Sequence, residues 1–77
     1  MASIVGTGAA ETLTGTDGYD YITGNGGGDV IEARGGDDYV VVGDGDNLVD
    51  AGAGDDNVSL EGGGDDVVHL SEGDDSV

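Results

Sequence analysis

Acidic side chains recur in this chain at a nearly constant interval of nine residues. Counted in units of nine from Gly6, the sixth position is occupied by Glu11, Asp20, Asp29, Asp38, Asn47, Asp56, Asp66 and Asp75. A carboxylate offers a hard anionic oxygen, which is the ligand type that calcium prefers. The spacing therefore predicts a series of acidic turns, each able to contribute to a calcium site.

Glycine occupies the fourth position of almost every unit, two residues before the acid. These glycines are Gly18, Gly27, Gly36, Gly45, Gly54, Gly64 and Gly73. Glycine tolerates positive φ and close approach of one backbone to another, which lets carbonyl oxygens converge on an ion.

Short strands are the elements that must position these turns. The eighth position is always aliphatic, and Ile4 extends the pattern backwards: Ile4, Leu13, Ile22, Ile31, Val40, Val49, Val58, Val68 and Val77. A unit of nine residues is too short for a helix plus a turn, but it fits a six-residue turn and a three-residue strand. Because side chains alternate along a strand, the eighth position should form the interior while the seventh and ninth face outward.

Eight such units form a single domain over residues 1–77, with Leu60 as a one-residue insertion. The insertion lengthens one interval, so we expect a bulge between the sixth and seventh units. A chain of this size buries only about 60% of its unfolded surface and often needs a crosslink or a bound ligand to stabilise its fold. Because the chain has no cysteine, this stabilising element is not a disulfide.

The charge balance restricts the partners of the chain. There are 18 acidic residues against one basic residue, Arg34, for a formal net charge of −17. Nucleic acid and acidic membranes are therefore poor partners, whereas cations are natural ones. No apolar run approaches the roughly 18 residues of a membrane span, and no Sec-type signal is visible at the N-terminus. High charge and abundant glycine also suit a disordered chain, which is the alternative to a folded repeat.

The remaining polar groups do not suggest catalysis. His69 is the only histidine and lies at an outward ninth position, so we interpret it as a surface residue and expect no enzyme activity. The acids at the fifth position are interpreted as solvated turn charges, with second ligands as the alternative: Asp37, Asp46, Asp55, Asp65 and Asp74.

Two rows of outward-facing side chains are less polar than is usual on a solvent-exposed sheet. Val30, Leu48 and Val67 follow one another at the seventh position of one face, and Tyr21 and Tyr39 do so on the other. Favourable pairing across an exposed sheet explains both rows. A contact surface for a partner or for lateral association is the alternative.

Taken with these columns, the sequence resembles the RTX repeats of secreted bacterial toxins, proteases and lipases, whose pattern is G-G-x-G-x-D-x-U-x. The resemblance runs from about Ile4 to Val77. It implies an all-β, right-handed parallel β-roll (a β-solenoid) of about four coils, with two nonapeptides in each coil. It also implies that Ca²⁺ lies between turns on the same edge, 18 residues apart.

The resemblance assigns the metal ligands to two edges. One edge carries Asp20, Asp38, Asp56 and Asp75, and the other carries Glu11, Asp29, Asn47 and Asp66. Backbone carbonyls of the turns that contain Gly18, Gly27, Gly36, Gly45, Gly54 and Gly64 would complete each shell. Glu11 departs from the family's aspartate, and Asn47 offers only a neutral ligand.

The resemblance further implies an extracellular protein that is exported unfolded by a type I-like route and folds on meeting calcium outside. The module would then have a structural role in a secreted protein. The alternative is a self-assembling, calcium-dependent fibre or matrix protein, in which uncapped rolls stack end to end through open strand edges as a homo-oligomer or filament.

Overall fold

The computed structural model describes residues 2–71, 73, 75 and 76, and the described part contains strands and turns but no helix. The strands follow one another along the chain as β1 (Ala2–Val5), β2 (Thr12–Thr14), β3 (Asp20–Thr23), β4 (Val30–Glu32), β5 (Tyr39–Val42), β6 (Leu48–Gly52), β7 (Asn57–Leu60) and β8 (Val67–Leu70). Among these residues there is accordingly no helix able to span a membrane.

The strands form two parallel sheets that the chain visits in alternation. One sheet has the order β1-β3-β5-β7 and the other the order β2-β4-β6-β8. Neighbouring strands are related by 18 residues over most of the chain, as in the pairing of Ile22 with Val40 and of Ile31 with Val49. Two nonapeptides therefore make one coil, and about four coils stack into a β-solenoid, as the resemblance to RTX repeats implied.

The interior is built from two columns of the repeat. Ile22, Val40 and Val58 of one sheet and Ile31 and Val49 of the other are fully or almost fully buried, which confirms the eighth position as a core position. Ile4, Leu13 and Val68 are partly buried and pack against this core. Val77 lies outside the described residues.

The first position of the unit is a second core column, which the sequence analysis did not identify. Ala33, Val42 and Ala51 are completely buried, and the equivalent Gly6 and Gly15 are buried as well. The restriction of this position to Gly, Ala and Val in the first six units was the available signal. Only small side chains are found at this position in these units because little space is available where the chain passes from a strand into the next turn.

The seventh and ninth positions face outward as expected, because no described residue of either column is buried. The rings of Tyr21 and Tyr39 stack on this surface, with centroids 5.3 Å apart and planes 8° from parallel. On the opposite sheet Leu48 and Val67 are adjacent in the register and are 41% and 51% exposed.

The bulge expected between the sixth and seventh units is wrong in its position. Leu60 continues β7 and pairs in register with Val42, and the N–H of Glu61 still donates to the Val42 carbonyl (2.9 Å). Equivalent positions of the following turn are 19 residues apart, because the N–H of Asp65 donates to Oδ1 of Asp46, whereas the corresponding bond from Asp55 to Asp37 spans 18 residues. The extra residue is thus accommodated in the turn that follows Leu60. The observed irregularity of register lies between Asp50 and Gly52, on the other sheet.

Candidate metal centre

The sixth-position side chains lie in two rows along the edges of the roll. On one edge the N–H of Asp20 donates to Oδ1 of Asp38, and the N–H of Asp38 donates to Oδ1 of Asp56, both at 2.9 Å. The N–H of Asp56 donates in turn to Oδ1 of Asp75 (2.8 Å). Each turn on this edge is therefore joined to the next by a carboxylate oxygen.

The other edge repeats the arrangement with one amide in the row. The N–H of Glu11 donates to Oδ1 of Asp29 (3.1 Å), and the N–H of Asp29 donates to Oδ1 of Asn47 (2.8 Å). The N–H of Asn47 then donates to Oδ1 of Asp66 (2.9 Å). On both edges, the structure thus brings together the sixth-position residues that the resemblance assigned to that edge.

The second oxygen of three aspartates has no partner. Asp29, Asp38 and Asp56 are at most 2% exposed, and Oδ2 of each is buried without a hydrogen bond. A buried carboxylate oxygen without a donor is costly, and a cation is one of the few groups that can relieve it. These three oxygens are the strongest sign of a metal site in the described chain.

Burial alters the acidity of the same three groups. It raises the pKa of Asp38 from 3.8 to about 7, an effect that the donated N–H of Asp20 opposes and the neighbouring charge of Asp56 increases. Burial likewise raises the pKa of Asp56 to about 6 and raises the pKa of Asp29. In the absence of a cation, the ionised row is therefore unfavourable in the folded chain.

The turn that contains Asn47 shows which groups surround the second atom of a sixth-position side chain. Nδ2 of Asn47 donates to the carbonyl oxygens of Gly43 and Gly45, at 3.1 and 3.3 Å. Carbonyls from the second and fourth positions of the turn therefore converge on this point. Calcium accepts carbonyl and carboxylate oxygens together, so the donor set fits it.

The close stacking of the turns explains the fourth-position glycines. Gly36 has φ +83°, and a Cβ at this residue would lie 2.6 Å from the carbonyl oxygen of Gly18 in the preceding turn. Gly45 has φ +101° and would meet the Gly27 carbonyl oxygen at 2.5 Å. The predicted close approach of backbones is thus confirmed, and any side chain here would separate the turns.

The first turn on each edge differs from those that follow. Oδ2 of Asp20 accepts the N–H of Thr16 (2.7 Å), and Oδ1 of Asp20 accepts the Thr16 hydroxyl (2.8 Å). Glu11 Oε1 similarly accepts the N–H of Thr7 (2.6 Å). Both acids are bound within their own turns, and Gly18 lies outside the left-handed region that Gly36 and Gly45 occupy. The Gly-Thr pair that begins only the first two units was the sequence signal for this difference.

Fifth-position aspartates make a further set of bonds that sequence reasoning did not anticipate. Oδ1 of Asp37 accepts the N–H of Asp55 (2.8 Å), and Oδ1 of Asp46 accepts the N–H of Asp65 (2.9 Å). All four residues are exposed, so they are solvated turn charges that also bridge neighbouring turns. Asp74, the last residue of this column, lies outside the described residues.

Arg34 makes the single salt bridge found among the described residues. Its Nε lies 3.5 Å from Oδ1 of Asp17, and the two side chains are 52% and 81% exposed. Exposed pairs of this kind contribute little, so Arg34 does not neutralise the buried acids. In the described part of the chain, no group of three or more acidic, His or Cys side chains is arranged so that these side chains alone could hold a metal ion. A metal site here must therefore draw on backbone carbonyls as well as carboxylates.

The fold and the site together define a β-solenoid whose stacked acidic turns suit a hard cation. The family model described as the RTX calcium-binding nonapeptide repeat matches residues 5–40, 33–65 and 57–77, with four copies. The chain therefore belongs to the RTX calcium-binding nonapeptide repeat family. RTX repeats bind Ca²⁺, and the chain is a calcium-binding repeat module. No curated protein and no solved structure matches it significantly.

Proposed function

We propose that the chain is a calcium-triggered folding module, in which ions bind between neighbouring turns on the same edge. The observation that carries the proposal is the buried, unpartnered Oδ2 of Asp29, Asp38 and Asp56. These three carboxylates are the central ligands in our assignment. When bound, Ca²⁺ would supply positive charge at the point where these oxygens have no donor.

The other predicted ligands contribute to calcium binding to different extents in this proposal. Asp66 and Asp75 are partly buried, and each bonds through Oδ1 to the turn before it, so each can extend a site at its Oδ2. Asp20 contributes less because both of its oxygens accept bonds from Thr16. Carbonyls of the turn glycines Gly27, Gly36, Gly54 and Gly64 would complete the shells. The Gly45 carbonyl accepts a bond from Nδ2 of Asn47 instead, and the Gly18 turn contributes less than the later turns.

Folding and binding are coupled in this proposal because of where the charges lie. The chain has a formal net charge of −17, and its sixth-position acids are stacked so that the backbone N–H of one bonds to the carboxylate of the next. Without a cation, mutual repulsion and burial of carboxylates both oppose the fold. When the ligands form a site only in the folded state, the free energy of binding becomes free energy of folding.

An extracellular setting follows from the same coupling. RTX repeat proteins are typically secreted. Extracellular calcium modules commonly bind at around 10⁻⁴–10⁻³ M, which leaves them empty in a cytosol and filled outside the cell. We therefore propose export of the unfolded chain and folding outside, with a structural rather than catalytic role in its parent protein.

A calcium titration followed by far-UV circular dichroism tests this proposal. We expect a coil spectrum in EDTA to change to a β spectrum at about 10⁻⁴–10⁻³ M calcium, to revert on addition of EDTA, and not to appear with magnesium. Magnesium is the matched control because it demands a stricter octahedral geometry and retains its water. A full β spectrum in EDTA, or a coil at every calcium concentration, contradicts calcium-triggered folding.

The sheet edges favour a second candidate, calcium-dependent assembly. Within the described residues β8 lies at the end of its sheet, and an end strand presents unpaired N–H and C=O groups to a further strand. The exposed Val67 of β8 and Leu48 of the neighbouring β6 add apolar surface. Sedimentation velocity with calcium, over a hundredfold range of protein concentration, separates the candidates. Growth of particles with concentration supports assembly, and a constant monomer excludes it.

A further inference from the structure

The amide nitrogen of Asn47 corresponds in the repeat to the buried, unpartnered Oδ2 of Asp29, Asp38 and Asp56. We infer that this amide takes the place of a bound Ca²⁺, so that the turn formed by residues 42–47 closes without an ion. The inference rests on the proposed function, since it names the one buried sixth-position turn that is excluded from metal binding.

Asn47 and the buried aspartates are held in the same way on one side. Oδ1 of Asn47 accepts the N–H of Asp29 at 2.8 Å, just as Oδ1 of Asp38 accepts the N–H of Asp20 at 2.9 Å. Asn47 is 2% exposed, as is Asp38. Because the backbone repeat and the Oδ1 bond are shared, Nδ2 of Asn47 takes the place that Oδ2 takes in an aspartate.

The second atom is where the two residue types differ. Nδ2 of Asn47 donates to the carbonyls of Gly43 and Gly45, so both polar atoms of the side chain are satisfied within the protein. Oδ2 of Asp38 has no partner. An amide nitrogen repels a cation where a carboxylate oxygen attracts one, and it uses the carbonyls that would otherwise be ligands. In the Asn47 turn, hydrogen bonds within the protein therefore satisfy the side-chain atom that an ion would bind in the aspartate turns.

A second amide lies on the same edge. Nδ2 of Asn25 donates to the carbonyl oxygen of Gly6 in the preceding turn on that edge, at 2.7 Å. On the edge of Asn47, two side-chain amides thus donate to three backbone carbonyls. On the edge of Asp38 and Asp56, the described hydrogen bonds include no such amide. We therefore expect the two edges to differ in their need for calcium, with the Asp38 edge the more dependent.

The stoichiometry of calcium binding tests the inference. Asn47→Asp should raise the number of ions per chain by one, measured by isothermal titration calorimetry at saturating calcium. Asn57→Asp is the matched control, since it makes the same change of charge at an exposed strand position, and it should leave the number unchanged. An Asn47→Asp chain that binds the same number of ions as the wild type, or that stays unfolded at saturating calcium, overturns the inference.

The reciprocal change keeps the inference testable from the other side. Asp56→Asn should reproduce the Asn47 arrangement, so we expect one ion fewer and a retained β spectrum at saturating calcium. An unchanged ion count, or loss of the fold, counts against the exchange of amide for ion. A wild-type chain that binds no calcium would instead refute the proposed function, so the two failures are distinguishable.

Discussion

Replacing Asp38 by asparagine should remove most of the calcium requirement at one point of the roll. A pKa of about 7 for Asp38, against an ordinary 3.8, corresponds to on the order of 4 kcal/mol against its ionised form in the folded, metal-free chain. Asparagine keeps an Oδ1 for the N–H of Asp20 and carries no charge. We therefore expect Asp38→Asn to stabilise the metal-free roll by up to about 4 kcal/mol at pH 7.5.

Far-UV circular dichroism in EDTA at pH 7.5, with urea as the denaturant, measures this effect. Asp37→Asn is the control, because it removes the same charge from an exposed neighbour and keeps an Oδ1 for the N–H of Asp55. We expect the control to change stability by less than about 1 kcal/mol. If Asp38→Asn has no more β structure in EDTA than Asp37→Asn, buried charge is not what keeps the metal-free chain unfolded.

Three further predictions concern pH, the turns and the core. The raised pKa values of Asp29, Asp38 and Asp56 mean that the folded metal-free chain binds more protons than the unfolded chain, so its stability is greatest below about pH 4 and is lost as pH rises through 6 to 7. Lowering the pH from 7.5 to 5 in EDTA should therefore increase the β signal, and an unchanged signal contradicts this reasoning. Gly36→Ala should destabilise the calcium-bound roll by about 2 kcal/mol or more in urea unfolding, because Gly36 has a positive φ and a Cβ there would clash with the Gly18 carbonyl. Gly63→Ala is the control, since a Cβ at Gly63 meets nothing within 4 Å, and its stability should lie within about 0.5 kcal/mol of the wild type. Ile31→Val should cost about 1 kcal/mol in the same assay, whereas Val67→Ala, at an exposed outward position, should be nearly neutral, and equal effects would place the core elsewhere.

The strand positions were predictable because they follow from periodicity, since an aliphatic residue at every eighth position marks the side chains that face the interior. The two edges came from the resemblance to RTX repeats, whose 18-residue coil places Asp20, Asp38 and Asp56 in one row. The structure adds how each carboxylate divides its two oxygens. That division depends on the distance between stacked turns, which no spacing in a sequence reports.

Local exceptions were harder to predict than the repeat itself. Thr16 appears in the sequence as a turn residue, yet its hydroxyl and N–H occupy both oxygens of Asp20. Leu60 appears as a defect in a strand, but the strand ladder continues through it and the turn absorbs the extra residue. In both cases the outcome depends on bonds to a neighbouring group that one unit of nine residues does not reveal.

The bonds from the N–H of each sixth-position residue to the sixth-position side chain of the next turn on its edge all run in one direction along the chain. The backbone of Asp20 depends on the side chain of Asp38, and the backbone of Asp38 depends on the side chain of Asp56. The N–H of a sixth-position residue therefore gains this hydrogen bond only after the following coil has folded against its own. Each edge of the roll consequently has a direction, because side chains of a later coil complete the hydrogen bonds of the coil before it.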